Sequence, residues 1–423
     1  MADRAVSIHP RLPSSARVDS AWLARRNEFE QLVAASHCER VGGQEMNIRQ
    51  IVPSTLFGAG QVTQIGDFIV AEEADVAFVD HQLSPVQQRN LETAWSVKVV
   101  DRTGLILEIF ASRARTREGG LQVELASLNY QLGRLVRSWT HLERQRGGHG
   151  FLGGPGERQI ELDRRMIRDR IQRLEKDLKQ VRKMRATQRA GRERNAVQTV
   201  ALVGYTNAGK STLFNRLCQS NVHVANQLFA TLDPTLRKLE LPNGLSLMLS
   251  DTVGFVQDLP HELVNAFRAT LEEVVEADLI LHVRDIADPE ATMQKQVVEQ
   301  TLEQMGLQGD GMPIVVEVLN KCDLTPHVTS HITENIHGSR LALSALDGRG
   351  IEDLQALLQR WLQKSMPTYT LKIPVSDGRT LALCHEKGVV IAQQTDDEYI
   401  QMTVQLPLRY ATALGCIKKD EVW

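Results

Sequence analysis

The chain has 423 residues, 42% of them hydrophobic and 24% charged, and a formal net charge of −3. That length exceeds one ordinary domain, and that composition belongs to a folded globular protein rather than a disordered or collagen-like one. Cys38, Cys218, Cys322, Cys384 and Cys416 are scattered without a C-x-x-C pair, which argues against a zinc ribbon or disulfide framework and fits a reducing cytosol.

The N-terminal stretch has no apolar leader core, and no apolar run reaches bilayer length. A cytoplasmic chain without a membrane anchor of its own is expected. Residues 1–20 are polar, with Pro and Ser, and read as a flexible tail. Residues 21–115 alternate apolar runs with helical patterns, "NIRQIV", "DVAFVDHQLSP" and "WSVKVVDRTG", which predicts a small N-terminal α/β domain. Pro85 suits the first turn of a helix.

Residues 116–196 change character. Leu121, Leu125, Leu128, Leu132, Leu135, Trp139 and Leu142 are spaced four and three apart, a heptad seam on one helix. A second seam follows at Ile167, Ile171, Leu174, Leu178 and Val181. Together they predict a long antiparallel helical hairpin with arms of roughly 35–50 Å. From Glu157 to Arg194 there are 14 Lys/Arg against 7 Asp/Glu, a local +7 that leaves −10 for the rest. Such polarity suits a phosphate backbone, although a solvated helix face is the plain alternative.

The tip, "RQRGGHGFLGGPGER", holds a literal G-x-G-x-x-G at Gly148, Gly150 and Gly153. A dinucleotide fingerprint needs a strand before it, and here a leucine-seamed helix precedes. No Lys follows in phosphate-loop position, and Pro155 stops continuation of the first arm. Arg144, Arg146 and Arg158 flank the turn, and His149 and Phe151 could stack on unpaired bases. The tip therefore reads as a flexible, Arg-flanked turn at the end of a basic helical hairpin.

Residues 197–365 return to short apolar strands between helices, "TVALVGY", "SLMLSDT", "DLILHVRD", "PIVVEVLNK" and "SRLALSA". This predicts a doubly wound, mostly parallel sheet. Residues 366–423 show strand alternation with turns at "SDG" and "HEKG", a small C-terminal α+β domain.

"GYTNAGKST" follows an apolar strand and opens a helix, which is the setting a phosphate loop requires. Gly204, Tyr205, Thr206, Asn207, Ala208, Gly209, Lys210, Ser211 and Thr212 would wrap the phosphates with backbone N–H groups. Lys210 adds charge at the β and γ phosphates, and the Ser211 hydroxyl suits Mg²⁺.

"FATLDPT" places Phe229, Ala230 and Thr231 where a switch loop offers a threonine to Mg²⁺. In "DTVGF", Asp251 would hold Mg²⁺ through water, with Thr252 and Val253 leading to Gly254, whose N–H would meet the γ-phosphate. "NKCD" supplies Asn320, Lys321 and Asp323. The Asp323 carboxylate accepts from guanine N1–H and the 2-amine, which adenine cannot supply. Ser344, Ala345 and Leu346 end another strand, and the Ala345 N–H suits guanine O6. The expected catalytic set is Lys210, Thr231 and Gly254, and the expected Mg²⁺ set is Ser211, Thr231 and Asp251.

These five elements resemble the translational GTPases of the Obg/Era-like class. "DRTGLILEIFASRARTREGGLQVELASL", "GGPGERQIELDRR" and "FATLDPT" resemble the HflX family in particular. The resemblance implies a monomeric GTPase that binds the 50S ribosomal subunit and its rRNA. It also implies a role in dissociating or rescuing stalled ribosomes under stress. An RNA-remodelling or RNA-modification factor regulated by GTP is the alternative; the isolation of Cys384 and Cys416 counts against it.

Four positions qualify the resemblance. Phe255 stands where many GTPases carry a water-orienting Gln, and a phenyl ring cannot orient water. Asn207 either braces its loop or helps hold a monovalent cation such as K⁺ near the phosphates. Gln61, in "LFGAGQV", replaces the Lys of a G-x-G-K run found in relatives, which favours a turn into a helix over a second nucleotide site. Leu152–Gly153 stands where the family carries an Arg before Gly-Pro-Gly.

Overall fold

A computed structural model describes residues 2–12, 19–137, 155–194, 197–219, 228–229, 231, 235–258, 273–307, 313–325, 332–335, 338–406, 410–411 and 414. Arg144, Arg146, His149, Phe151, Trp139, Leu142 and Ala230 lie outside the described residues. For Arg158 only the helical backbone is described. The chain divides into two units. One holds Met1–Val181, Ala225–Asp233 and Gly254–Thr270; the other holds Arg182–Val224, Pro234–Val253 and Leu271–Trp423.

The first unit is built on a parallel sheet in the order β2-β1-β3-β4: β1 (Arg4–Arg11), β2 (Glu39–Asn47), β3 (Val76–Val79) and β4 (Lys98–Asp101). The expected tail is therefore wrong over 4–11. These residues form an interior strand paired on both sides. Ser7 and His9 disguise it, since they are polar yet buried. Glu30, on helix α1 (Asp19–Ala35), bonds to both: Ser7 Oγ donates to Oε1 at 2.9 Å, and His9 Nε2 lies 2.7 Å from it. The strand expected at "NIRQIV" lies earlier, as β2.

Helix α2 spans Ala59–Ala71. Helix α3 (Pro85–Trp95) starts with Pro85 behind a Ser84 capping box. Helix α4 (Arg102–Arg113) is capped by Asp101, whose carboxylate accepts from Gly104 N at 2.8 Å, Leu83 N at 3.1 Å and Arg134 at 2.7 Å. Arg134 belongs to helix α5 (Arg117–Arg137), so the α4 cap also anchors α5. Arg102 is buried, donating to Asp80 Oδ1 at 2.9 Å, to Glu28, and to the Gln257 carbonyl at 3.3 Å.

Helix α6 (Pro155–Arg194) has 40 residues, about 60 Å at the α-helical rise, longer than expected. Pro155 is its first residue. The pairing of α5 and α6 is antiparallel. Arg170 donates to both oxygens of Glu124 at 2.7 and 3.0 Å, and Arg164 donates to the Leu135 carbonyl at 3.2 Å. Leu174 and Leu178 are buried as the second seam requires. On α5 the buried face carries Gln122, Val123 and Ala126, while Leu121, Leu125, Leu128, Leu132 and Leu135 are half-buried. Contacts with α4 turn the face away from the leucine line.

The second unit carries a seven-stranded sheet, β10-β11-β9-β8-β5-β7-β6. Its strands are β5 (Thr199–Gly204), β6 (Thr235–Glu240), β7 (Ser246–Asp251), β8 (Leu279–Asp285), β9 (Ile314–Asn320), β10 (Ile332–Asn335) and β11 (Gly338–Ala342). The central pairs are parallel, and both edges, β6 on β7 and β10 on β11, are antiparallel. Helices α7 (Lys210–Cys218), α8 (Ala291–Gln304) and α9 (Ile351–Ser365) follow strands, and Leu213, Phe214, Leu354 and Leu358 join the strand residues in one core. The central strands β5 and β8 are apolar and buried over most of their length, as strands covered on both faces are, whereas the edge strands β6 and β10 are mostly polar.

The last segment is an antiparallel sheet, β12-β14-β13, from β12 (Thr368–Pro374), β13 (Val389–Thr395) and β14 (Tyr399–Gln405), with helix α10 (Gly378–Lys387) packed on it. "SDG" is not a strand turn. Asp377 accepts from Thr380 N at 3.1 Å and starts α10, which "HEKG" ends. No helix among the described residues is long and apolar enough to cross a membrane.

Candidate nucleotide-binding site

The loop leaving β5 is shaped by two glycines. Gly204 has φ +155°, and a Cβ there would lie 2.2 Å from the Val283 carbonyl oxygen of β8. Gly209 has φ +92°, and its Cβ would lie 2.2 Å from Asn320 Nδ2. Any side chain at either place collides with its neighbour. Asn207, exposed between them, takes φ +58°, a left-handed conformation that Asn tolerates.

Lys210 opens α7. Its side chain is 6% exposed and folds back, Nζ donating to the Gly204 carbonyl at 3.1 Å and the Tyr205 carbonyl at 2.8 Å. Burial pulls its pKa down to about 8, and the Asp251 carboxylate partly opposes that. Phosphates arriving at this loop would supply the negative charge the ammonium lacks.

Ser211 Oγ donates to Asp251 Oδ2 at 2.7 Å. Thr252 Oγ1 donates to the Leu202 carbonyl at 2.6 Å, tying the end of β7 to β5. An alcohol and a carboxylate side by side suit a hard cation. Among the described residues no group of three or more His, Cys, Asp or Glu could hold a metal. An ion at Ser211 and Asp251 would thus draw its other ligands from hydroxyl, phosphate and water oxygens, as Mg²⁺ does.

The two flanking segments belong to the first unit. Phe229, buried and at φ +57°, packs edge-on against Phe110 of α4 with centroids 4.5 Å apart. Thr231 is half-buried, between residues that are not described. Phe255, just after Gly254, is buried, in keeping with a packing role. Three residues on, Asp258 pairs with Arg25 of α1.

On the base side, Asn320 is 2% exposed and joins two loops. Its Nδ2 donates to the Ala208 carbonyl at 2.8 Å, and its Oδ1 accepts from Ala345 N at 2.9 Å. The Ala345 N–H expected to face guanine O6 is therefore already engaged with Asn320. Asp323 Oδ1 is buried and makes no hydrogen bond among the described residues. A carboxylate oxygen left this way has the acceptor capacity that the guanine N1–H and 2-amine require. Lys321, at φ +65°, pairs with Asp285 Oδ2 at 2.6 Å. Ser344 closes its loop, accepting Gly348 N at 2.9 Å on its carbonyl and Asp347 N at 3.2 Å on Oγ.

Ser211 is thus bonded directly to Asp251, and Asn320 to Ala208 and Ala345, while Lys210 is held by the Gly204 and Tyr205 carbonyls. Asp285 and Arg216 escaped the sequence reading. Asp285 simply ends an apolar strand, and Arg216 bonds carbonyls 129 and 130 residues away, which no local spacing signals. At the other glycine motif, Gln61 Oε1 accepts from Gly58 N at 3.2 Å, and Nε2 donates to the Asn47 carbonyl at 2.9 Å. Gln61 caps α2, as a turn into a helix requires.

Three family models match along the chain: GTP-binding GTPase N-terminal over residues 24–111, GTP-binding GTPase Middle Region over 113–192, and 50S ribosome-binding GTPase over 199–321. GTPase HflX of Magnetococcus marinus is 48% identical over 404 residues, covering 96% of this chain and 92% of its own. GTPase HflX of Escherichia coli is 43% identical over 385 residues, covering 90% and 89%. Among solved structures, a GTP-binding protein from the archaeon Sulfolobus solfataricus in complex with GDP is 21% identical, with a TM-score of 0.43, covering 85% of this chain and 98% of that one. The identity and coverage of the curated relatives place the chain in the GTPase HflX family, whose members are GTP-hydrolysing enzymes.

Proposed function

We propose that this GTPase is a nucleotide-controlled switch on the 50S ribosomal subunit, which it would leave after hydrolysis, and that it dissociates or rescues stalled ribosomes under stress. The observation that carries the guanine-nucleotide reading is the buried, unsatisfied Asp323 Oδ1 beside the Asn320 bridge. Backbone N–H groups of 204–212 and Lys210 would hold the phosphates, while Ser211, Thr231 and Asp251 would hold Mg²⁺. Bound there, Mg²⁺ neutralises charge at the β and γ phosphates. Gly254 would offer its N–H to the γ-phosphate.

Phe255 cannot orient the attacking water, so basal turnover is slow until a partner orders the two segments around 229–231 and 254–258. The basic hairpin of residues 116–196, with Arg144, Arg146, His149, Phe151 and Arg158 at its tip, would contact rRNA. The chain acts as a cytoplasmic monomer. Support comes from the matching model described as a 50S ribosome-binding GTPase and from the +7 arm.

Co-sedimentation with 50S subunits is expected to be stronger in a non-hydrolysable GTP analogue than in GDP, with GTP turnover stimulated by 50S. Equal sedimentation in both nucleotides, or no stimulation, removes the switch. Lys210→Ala is expected to abolish turnover. Faster turnover in K⁺ than in Na⁺ would assign Asn207 to a cation, and equal rates would leave it as a brace.

A further inference from the structure

Helix α7 begins at the phosphate loop, and its last turn grips the loop assigned to the base. Arg216 lies six residues beyond Lys210, about 9 Å along the axis. Its Nε donates to the Ala345 carbonyl at 3.2 Å, and its Nη2 donates to the Leu346 carbonyl. Gly348 lies beside the same guanidinium, where a Cβ would sit 3.7 Å from its central carbon. In a planar trans peptide the C=O and the N–H point in opposite directions. Holding the Ala345 carbonyl on Arg216 therefore turns the Leu346 N–H to the other side of the loop. The neighbouring Ala345 N–H faces Asn320 Oδ1, and Asn320 Nδ2 holds Ala208 of the phosphate loop. The contacts close a ring: phosphate loop, Asn320, Ala345, Arg216, α7, and back to Lys210.

We propose that Arg216 is a specificity-determining positioning residue, which aims the N–H of Leu346 at the 6-oxo group of the purine. This rests on the guanine-nucleotide reading above. The purine is then read by two separate devices. Asp323 reads the N1–H and the 2-amine, and the Arg216-braced loop reads O6. A braced loop also resists widening for a bulkier, weaker acceptor at position 6.

Competition binding with GDP, 6-thio-GDP and IDP separates the devices. The first analogue alters only position 6, and the second lacks only the 2-amine. In Arg216→Ala and in the stem-retaining Arg216→Met, the preference for GDP over 6-thio-GDP is expected to shrink about five-fold, the worth of one net hydrogen bond. The preference for GDP over IDP should change less than two-fold. Arg216→Lys, with a single donor group, should restore part of the lost preference. Unchanged ratios overturn the proposal. So does a parallel fall of both preferences, which would mean a general loosening of the site. A wild-type chain that favours GDP over IDP but not over 6-thio-GDP overturns the O6 contact alone. A wild-type chain indifferent to both analogues and to ADP overturns the guanine reading itself.

Discussion

Replacing Gly209 with Ala strikes one of the two tightest points of the phosphate loop. The added Cβ would lie 2.2 Å from Asn320 Nδ2, where ordinary contact begins at 3.4 Å, so Asn320 must retreat by about 1.2 Å. That retreat breaks its bonds to the Ala208 carbonyl at 2.8 Å and from Ala345 N at 2.9 Å. Both backbone groups are buried, so each orphaned group costs about 1–3 kcal/mol. Holding φ at +92° adds about 1–2 kcal/mol for a residue with a Cβ. The total is about 3–8 kcal/mol against the organised site, a loss of about 100-fold or more in nucleotide affinity. Titration with a fluorescent GDP analogue reads this directly. A double-mutant cycle with Asn320→Ala assigns the cause. If the clash dominates, Gly209→Ala costs much less when Asn320 is already Ala. Wild-type-like affinity in Gly209→Ala, or additive losses in the cycle, would refute the Asn320 bridge as the constraint on this loop.

Other consequences are open to similar tests. Asp323→Asn replaces an acceptor with an amide that can donate to the 2-oxo group of xanthine. GDP affinity should fall about 100-fold while XDP affinity rises, and competition binding that still ranks GDP first contradicts the assignment. Arg102→Met removes the nearer and more buried of the two cations on Asp80, 2.9 Å away with side chains 3% and 5% exposed, and leaves only Arg25 at 3.3 Å. The cost should be about 3–5 kcal/mol of stability in urea denaturation, and a change below 1 kcal/mol would show that the pair is not structural. His282, 2% exposed on β8, has its pKa pulled down to about 4 by burial and then by Arg284, with Lys295 and Lys210 adding and Glu317 opposing. The unfolded chain takes up this proton first as pH falls. Stability is therefore fully present above about pH 6.5 and is lost towards pH 4, by about 3 kcal/mol. His282→Gln should flatten that slope, and an unchanged slope would assign the acid sensitivity to other groups.

The sequence by itself determined whatever depends on neighbours a few residues apart. Period-two and continuous apolar runs marked β5, β7, β8 and β9. Heptad spacing marked both arms of the hairpin. Pro85 behind Ser84 marked the start of α3, and Gly204 and Gly209 marked a loop that must bend where a Cβ cannot fit. Those signals are local because backbone conformation and side-chain periodicity are local. Only the tertiary structure decided where polar side chains find partners. Ser7 and His9 look like a solvated tail until Glu30, from another element, makes burial possible. Val123 and Ala126 displaced the leucine seam as the buried face of α5 because α4 packs there. The run before "HEKG" became a helix once Asp377 capped it. Asn320 became the bridge between the phosphate and base loops, and took the N–H assigned to guanine O6. Arg216 found two carbonyls more than a hundred residues away. A donor can serve any acceptor within reach, and the fold alone decides which acceptors come within reach.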